Sequence, residues 1–101
     1  VLKMDVQRGG VYIQTAGPRL ETRAEIAMLK RSGDIVGMTM ASEATLSMEQ
    51  QIPYASLCSI DNYGHGIAKA ALTMEEIKEN VMANAERVEA LIRTIIAGDL
   101  P

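Results

Sequence analysis

The sequence predicts an α/β fold with a central, mostly parallel β-sheet, because strand-like and helix-like segments alternate along the chain. Three short segments are apolar and rich in β-branched residues, as strands are. Helical segments with N-terminal capping signals separate or follow them. Three strands are fewer than a complete doubly wound domain needs, so we expect the chain to be part of a larger domain.

The first strand and the first helix are both clearly bounded. Residues 11–15 (VYIQT) are short, β-branched and partly alternating, and the Gly-Pro pair at 17–18 ends them. Thr22 and Glu25 have the spacing of a capping box, and Gly33 closes the apolar segment that follows. The sequence therefore predicts a strand, a loop and a helix in that order.

The middle of the chain predicts two more strands. Residues 34–38 (DIVGM) form a short apolar run of the kind that parallel sheets bury, and Ser42 is the expected N-cap of a helix through Gln50. Residues 53–60 (PYASLCSI) have strand character and begin at a proline, as strands can. Residues 61–66 (DNYGHG) are turn formers.

The last segment has the strongest helical pattern. Thr73 and Glu76 form a second capping box, and Gly98 ends the run. Apolar residues recur at helical spacing between them, with charged residues on the other faces: Ile77, Val81, Ala85, Val88, Leu91, Ile92 and Ile95. We expect a long amphipathic helix that packs on the sheet.

Composition excludes several classes of protein. The 101 residues are 48% apolar and carry a net charge of −3, which argues against nucleic-acid and anionic membrane partners. No window is apolar enough to span a bilayer. With one cysteine and one histidine, the chain has no internal disulfide and no all-protein His/Cys zinc site. We therefore expect a cytoplasmic protein.

Residues after each predicted strand carry a family resemblance. Residues 17–25 read GPRLETRAE, residues 37–39 read GMT with Glu43 beyond them, and residues 62–63 read NY. These runs resemble the C-terminal part of the purine nucleoside phosphorylase and 5′-methylthioadenosine phosphorylase family. The resemblance implies a three-layer phosphorylase-type fold, with residues 1–101 as the C-terminal part of a single nucleoside phosphorylase domain.

The resemblance also implies a reaction. Phosphate attacks C1′ of a purine nucleoside, and the products are the free base and ribose 1-phosphate. Inorganic phosphate is a co-substrate, and no cofactor or metal is expected. Because members of this family assemble as trimers or hexamers, the resemblance implies a homotrimer or homohexamer.

The family's site residues carry over position by position. By resemblance, Met38 would pack on the ribose, Thr39 would offer its hydroxyl to phosphate, and Leu20 would lie beside the base. Glu21 would accept a hydrogen bond from purine N1–H, and Asn62 would donate to O6 or N7 as the catalytic residue. This pair resembles the pattern of members specific for 6-oxopurines, whereas 6-aminopurine members carry aspartate at the position of Asn62.

The remaining site positions bear on the substrate's identity. Tyr63 and Gly64 continue the loop after Asn62 and would belong to the substrate site. Met74 aligns near a histidine that contacts the ribose 5′-hydroxyl in inosine-guanosine phosphorylases, and methionine would favour an apolar 5′ substituent. We therefore expect 5′-methylthioinosine as substrate, with inosine or guanosine second and 5′-methylthioadenosine as the alternative.

The chain also departs from the family pattern. Residues 41–43 read Ala-Ser-Glu where the family usually has Val-Pro-Glu, and Gly64 replaces a second acidic residue of some members. Neither change removes a reacting group, and both bear on the loop geometry and on the identity of the substrate.

Two other functions stay open beside phosphorolysis: a nucleoside hydrolase that uses water in place of phosphate, and a non-catalytic α/β module that binds a nucleoside or a partner.

Five of the site residues have a purely structural interpretation as well. Glu21 suits a solvated first helical turn, Asn62 a turn, and Thr39 a bond to a strand-end backbone group. Met38 and Met74 suit an apolar core.

Four further polar or reactive residues are also expected to be structural. His65, between two glycines, suits a mobile loop. Arg19 and Arg23 suit a surface or subunit-interface ion pair, and Cys58 suits a buried strand.

Overall fold

The structure is a computed structural model that describes residues 4–98. Its elements in chain order are β1 (Tyr12–Gln14), α1 (Arg23–Leu29), β2 (Ile35–Gly37), α2 (Ala41–Glu49) and α3 (Met74–Ile96). The chain forms two compact units. The sheet unit comprises residues 10–58 and 64–71, and the helix unit comprises residues 59–63 and 72–98 together with the described residues before 10.

The predicted parallel sheet is present in the sheet unit as one strand pair. Strands β1 and β2 run parallel, with Tyr12 opposite Ile35 and Gln14 opposite Gly37. The Thr15 N–H extends the ladder by donating to the Gly37 carbonyl at 2.9 Å. Because α1 connects the two strands, the β-α-β order predicted from the sequence is confirmed.

Helix α1 begins at the predicted capping box. The Thr22 hydroxyl accepts a hydrogen bond from the Glu25 N–H at 3.2 Å, and the Glu25 carboxylate accepts one from the Thr22 N–H at 2.7 Å. Ile26 is the buried residue of the helix, with 5% exposure. A Cβ atom on Gly64 would lie 2.8 Å from Ile26 Cδ1, so only glycine lets that loop approach the helix this closely.

Helix α2 begins earlier than predicted. Ser42 is not its N-cap: the N-cap is Met40, which supplies no side-chain hydrogen bond. The side-chain oxygen of Gln14, on β1, accepts from the N–H groups of Met40 and Ala41 at 3.0 Å each. Since a residue on the neighbouring strand supplies the acceptor, the helix does not need a capping residue in its own sequence.

The predicted third strand is absent from the described part of the chain. Residues 53–60 pair with no strand there, and every one of them is exposed. Cys58 is therefore exposed rather than buried on a strand. Strand propensity describes how a residue fits a pleated surface, whereas a strand also needs a neighbour that takes up its backbone N–H and carbonyl groups.

Helix α3 belongs to the helix unit and follows the prediction closely. The Thr73 hydroxyl accepts from the Glu76 N–H at 3.2 Å, and Gly98 follows the helix with a φ of 85°. Leu91, at 4% exposure, is its buried residue. The described residues of the helix unit include no strand, so packing of α3 on a sheet stays a prediction. No described helix is both long and apolar enough to cross a membrane.

Candidate functional site

The carboxyl ends of β1 and β2 present polar side chains in the sheet unit. Thr15 follows β1, and Met38 and Thr39 follow β2. Parallel sheets bind ligands beyond the carboxyl ends of their strands, where loops replace the ladder. This edge is therefore the candidate site.

Glu21 lies in the loop between β1 and α1 and is half-buried. Its Oε1 accepts a hydrogen bond of 2.5 Å from the Thr15 hydroxyl, which also lies 3.4 Å from the Gly37 carbonyl oxygen. Its Oε2 accepts no hydrogen bond from the described residues. The interpretation of Glu21 as a solvated first-turn residue is wrong, because the residue precedes the helix and its carboxylate is held by a neighbour.

His65 contacts the main chain of Glu21. Its ring is half-buried, and Nδ1 lies 2.8 Å from the Glu21 carbonyl oxygen. A carbonyl oxygen only accepts hydrogen bonds, so Nδ1 carries the proton and donates it. His65 is therefore hydrogen-bonded to Glu21, two residues before α1 begins, and its interpretation as a mobile loop residue stays a prediction. The sequence did not indicate this contact, because 44 positions separate His65 from Glu21.

The glycines beside His65 make that contact sterically possible. Gly64 lies against Ile26, and Gly66 has a φ of 85° with the Arg23 side chain nearby. A side chain at either position would meet α1 or adopt an unfavourable backbone conformation. Gly64 thus has a packing role in the structure, and its role in substrate binding stays a prediction.

Met38 is half-buried beneath the loop that follows β1. A Cβ atom on Gly17, whose φ is 60°, would lie 2.6 Å from the Met38 sulfur. Leu20, in the same loop, is 38% exposed. Both apolar side chains lie in the sheet unit with Glu21, whereas their contacts to ribose and base stay predictions.

Thr39 is exposed at the start of the turn into α2. Its N–H donates to the Tyr12 hydroxyl at 3.4 Å, and its own hydroxyl forms no hydrogen bond with the described residues. The next two N–H groups, of Met40 and Ala41, already donate to Gln14. Of these groups, the Thr39 hydroxyl is thus the donor that stays available to an anion.

Three predicted site residues belong to the helix unit. Asn62 is exposed, and its side-chain N–H donates to the Tyr63 carbonyl at 3.0 Å, leaving the second hydrogen of the amide for another acceptor. Tyr63 is 68% exposed. Met74, the first residue of α3, is 55% exposed and is therefore not the core residue that composition suggested.

The residue before Asn62 is fixed to α3. Asn80 donates to the Asp61 carbonyl at 2.6 Å, and Asn84 donates to its carboxylate at 3.1 Å. Ser59 donates to the same carboxylate oxygen at 2.7 Å. Sequence reasoning treated Asp61 as a turn former and missed these partners. The signal was a pair of asparagines four residues apart, which share a face of a helix.

Arg19 forms an exposed bidentate ion pair with Glu25. Its guanidinium nitrogens lie 2.7 and 2.9 Å from the two carboxylate oxygens. Hydrogen bonds from Arg19 and from the Thr22 backbone lower the pKa of Glu25 to about 2. The interpretation of Arg19 as an ion-pair residue is confirmed, whereas Arg23 forms no ion pair with the described residues.

Within residues 4–98, no three His, Cys, Asp or Glu side chains converge as metal ligands do.

Comparisons with known proteins show which proteins the chain is similar to. A family model described as "Phosphorylase superfamily" matches residues 2–97. Over 87 residues, the chain is 47% identical to the "Probable 6-oxopurine nucleoside phosphorylase" of Archaeoglobus fulgidus and 42% identical to the "Probable S-methyl-5'-thioinosine phosphorylase" of Methanocaldococcus jannaschii. It is 44% identical to the "Probable 6-oxopurine nucleoside phosphorylase" of Dictyoglomus turgidum.

These alignments cover most of this chain and a minor part of each relative. They include 86% of this chain in all three cases. The same alignments include 36%, 34% and 33% of the three relatives in that order. The chain thus spans about a third of the length of the curated relatives that it matches.

Proposed function

The chain belongs to the phosphorylase superfamily, and from that premise we propose that the full-length protein cleaves 6-oxopurine nucleosides with inorganic phosphate. It is then a pentosyltransferase that releases a free purine and forms a ribose 1-phosphate. The names of its relatives, which include 6-oxopurine and S-methyl-5′-thioinosine phosphorylases, support this substrate class.

The observation that carries the proposal is the half-buried carboxylate of Glu21 at the carboxyl end of β1. A 6-oxopurine bears a hydrogen on N1, and a carboxylate oxygen without a partner is a suitable acceptor for it. A 6-aminopurine bears a lone pair on N1 instead. A carboxylate at this position therefore favours hypoxanthine and guanine over adenine.

Asn62 is the second proposed reader of the base. The unused hydrogen of its side-chain amide is available to O6 or N7 of the purine. Negative charge develops on the purine as it leaves, and a donor at that position stabilises the transition state more than the ground state. We assign to Asn62 the catalytic role of stabilising the transition state more than the bound substrate.

The proposed reaction balances without a cofactor. An oxygen of hydrogen phosphate forms a bond to C1′ while the bond from C1′ to N9 breaks, and the electron pair of that bond goes to the purine. The phosphate proton ends on the released base. The exposed Thr39 hydroxyl, which has no partner among the described residues, is the proposed donor to phosphate.

The 5′ substituent of the proposed substrate is methylthio, with the hydroxyl of inosine or guanosine second. Met74 supports this order, because its thioether is exposed at the start of α3 and suits an apolar group. We further propose a cytoplasmic homotrimer or homohexamer with a role in purine salvage, on the strength of the family resemblance. Light scattering of the purified protein would test the subunit number.

The decisive experiment is base release by the full-length protein with and without phosphate. The substrates are 5′-methylthioinosine, inosine and 5′-methylthioadenosine, compared by kcat/KM. We expect phosphate-dependent release and a preference for both 6-oxo substrates, with 5′-methylthioinosine first.

Each other outcome has a distinct meaning. Preference for 5′-methylthioadenosine would keep the reaction and contradict the roles of Glu21 and Asn62. Release without phosphate would indicate a hydrolase. No release from any substrate would favour a nucleoside-binding module.

A further inference from the structure

We propose that Thr15 is a positioning residue that aims the Glu21 carboxylate at purine N1–H, an inference that rests on the proposed function. Thr15 lies outside the residues that the family resemblance assigned to the site. The structure brings its hydroxyl to 2.5 Å from Glu21 Oε1. Its effect on substrate choice would therefore pass through Glu21.

The single proton of the Thr15 hydroxyl has two acceptors within reach. Glu21 Oε1 is 2.5 Å away, and the Gly37 carbonyl oxygen is 3.4 Å away. A hydrogen bond to a carboxylate is shorter and about twice as strong as one between neutral groups. The proton thus goes to Glu21, and Oε1 is occupied.

The sheet holds the donor of this hydrogen bond in place. The Thr15 N–H donates to the Gly37 carbonyl at 2.9 Å, which fixes its backbone to the end of β2. Threonine is also β-branched, so few χ1 rotamers are open to it. The hydroxyl therefore has a defined position relative to the strands.

Glu21 is held at its main chain as well. His65 Nδ1 donates to its carbonyl at 2.8 Å, while Thr15 donates to its carboxylate. With both ends constrained, Oε2 is the oxygen left for a ligand. Binding to a carboxylate that is already fixed loses less side-chain entropy than binding to one that rotates freely. A fixed carboxylate also cannot turn away from a ligand that places a lone pair opposite it, so it discriminates more strongly against such a ligand.

The consequence is specificity for N1–H. In a 6-oxopurine, Oε2 gains a charge-assisted hydrogen bond, whereas the N1 lone pair of a 6-aminopurine faces a carboxylate that Thr15 restrains from turning away. Removal of the Thr15 hydroxyl would therefore weaken the binding of 6-oxopurines and reduce the discrimination against 6-aminopurines.

The test compares Thr15→Val, which keeps the shape and removes the hydroxyl, with Thr15→Ser, which keeps the hydroxyl. Thr45→Val is the matched control, since Thr45 is exposed on α2 and its hydroxyl forms no hydrogen bond with the described residues. Each variant is made in the full-length protein. The measurements are kcat/KM for inosine and 5′-methylthioinosine, and calorimetric Kd values for hypoxanthine and for unsubstituted purine, which has no hydrogen on N1.

We expect Thr15→Val to lower both kcat/KM values and to weaken hypoxanthine binding by about tenfold, because the released Glu21 side chain must then be ordered when the base binds. Binding of unsubstituted purine, which carries a lone pair on N1, should become tighter, because the carboxylate is then free to turn away from that lone pair. Thr15→Ser and Thr45→Val should resemble the parent. In a Glu21→Gln background, Thr15→Val should have little further effect, because its action passes through the carboxylate.

Two results would overturn the inference while leaving the proposed function intact. One is an active Thr15→Val variant that binds both bases with the parent's Kd values. The other is an equal loss for both bases, which would indicate a general structural defect. If the unsubstituted protein released no base from any nucleoside, the proposed function would fail first, and this inference with it.

Discussion

The side-chain oxygen of Gln14 accepts a hydrogen bond from the Ala41 N–H at 3.0 Å, so a residue of β1 caps helix α2. The same oxygen accepts from the Met40 N–H, also at 3.0 Å. Since Met40 is the N-cap and offers no oxygen of its own, the start of α2 depends on the neighbouring strand.

Replacement of Gln14 should therefore destabilise the protein as the loss of a helix cap does. We expect Gln14→Met to lower the free energy of unfolding by about 1 kcal/mol. Gln14→Glu keeps the acceptor and places negative charge at a helix N-terminus, so it should be at least as stable as the parent. Urea unfolding followed by circular dichroism would measure both. Gln7→Met, at an exposed position, is the control, and equal midpoints for Gln14→Met and Gln7→Met would contradict the cap.

The Arg19–Glu25 ion pair predicts a pH dependence of stability. The pKa of Glu25 falls from 4.5 to about 2 in the folded chain, so the folded state favours the ionised carboxylate. Its contribution is present above pH 4.5 and is lost as the pH falls towards 2.

Glu25→Gln tests this dependence, because glutamine can keep the capping box while it removes the charge. We expect the variant to be less stable than the parent at pH 6, with the difference shrinking as the pH is lowered below about 4. Urea midpoints at a series of pH values would measure it. Glu86→Gln, on the exposed face of α3, is the control. A difference that did not change with pH would show that the charge plays no part.

A side chain at position 64 should clash with Ile26 on α1. In Gly64→Ala, the new methyl group would lie 2.8 Å from Ile26 Cδ1 and 3.2 Å from Cγ1. We expect a loss of about 1–3 kcal/mol in the free energy of unfolding, as overpacking costs elsewhere. Ile26→Val removes Cδ1, so it should cost less in the Gly64→Ala background than in the parent. Additive losses in this double-mutant cycle would contradict the contact.

Replacement of Asn62 should change the preference between 6-oxopurine and 6-aminopurine nucleosides. Asn62→Asp should shift kcat/KM towards adenosine relative to inosine, because a protonated aspartate donates to N7 and its other oxygen accepts from the 6-amino group. Asn62→Ala, which has neither group, should lose activity on both substrates without gaining this preference. If Asn62→Asp kept the parent's ratio of inosine to adenosine, the assignment of Asn62 to the base would be wrong.

The sequence determined the features that depend on neighbours in the chain. Both capping boxes join residues three apart, Thr22 with Glu25 and Thr73 with Glu76, and both are present as predicted. The strands on either side of α1 were visible for the same reason, since their β-branched composition and glycine boundaries are local. The run from Gly17 to Glu25, together with residues 37–39, Glu43 and residues 62–63, indicated the phosphorylase family, and the comparison confirms it.

Tertiary structure alone decided the contacts between distant residues. Gln14 caps a helix 27 positions away, and His65 contacts a residue 44 positions away. The strand predicted at 53–60 failed for a related reason, because strand propensity does not supply a hydrogen-bonding partner. A capping or turn signal acts over three or four residues, whereas the partner of a lone acceptor or donor is chosen by the path of the whole chain.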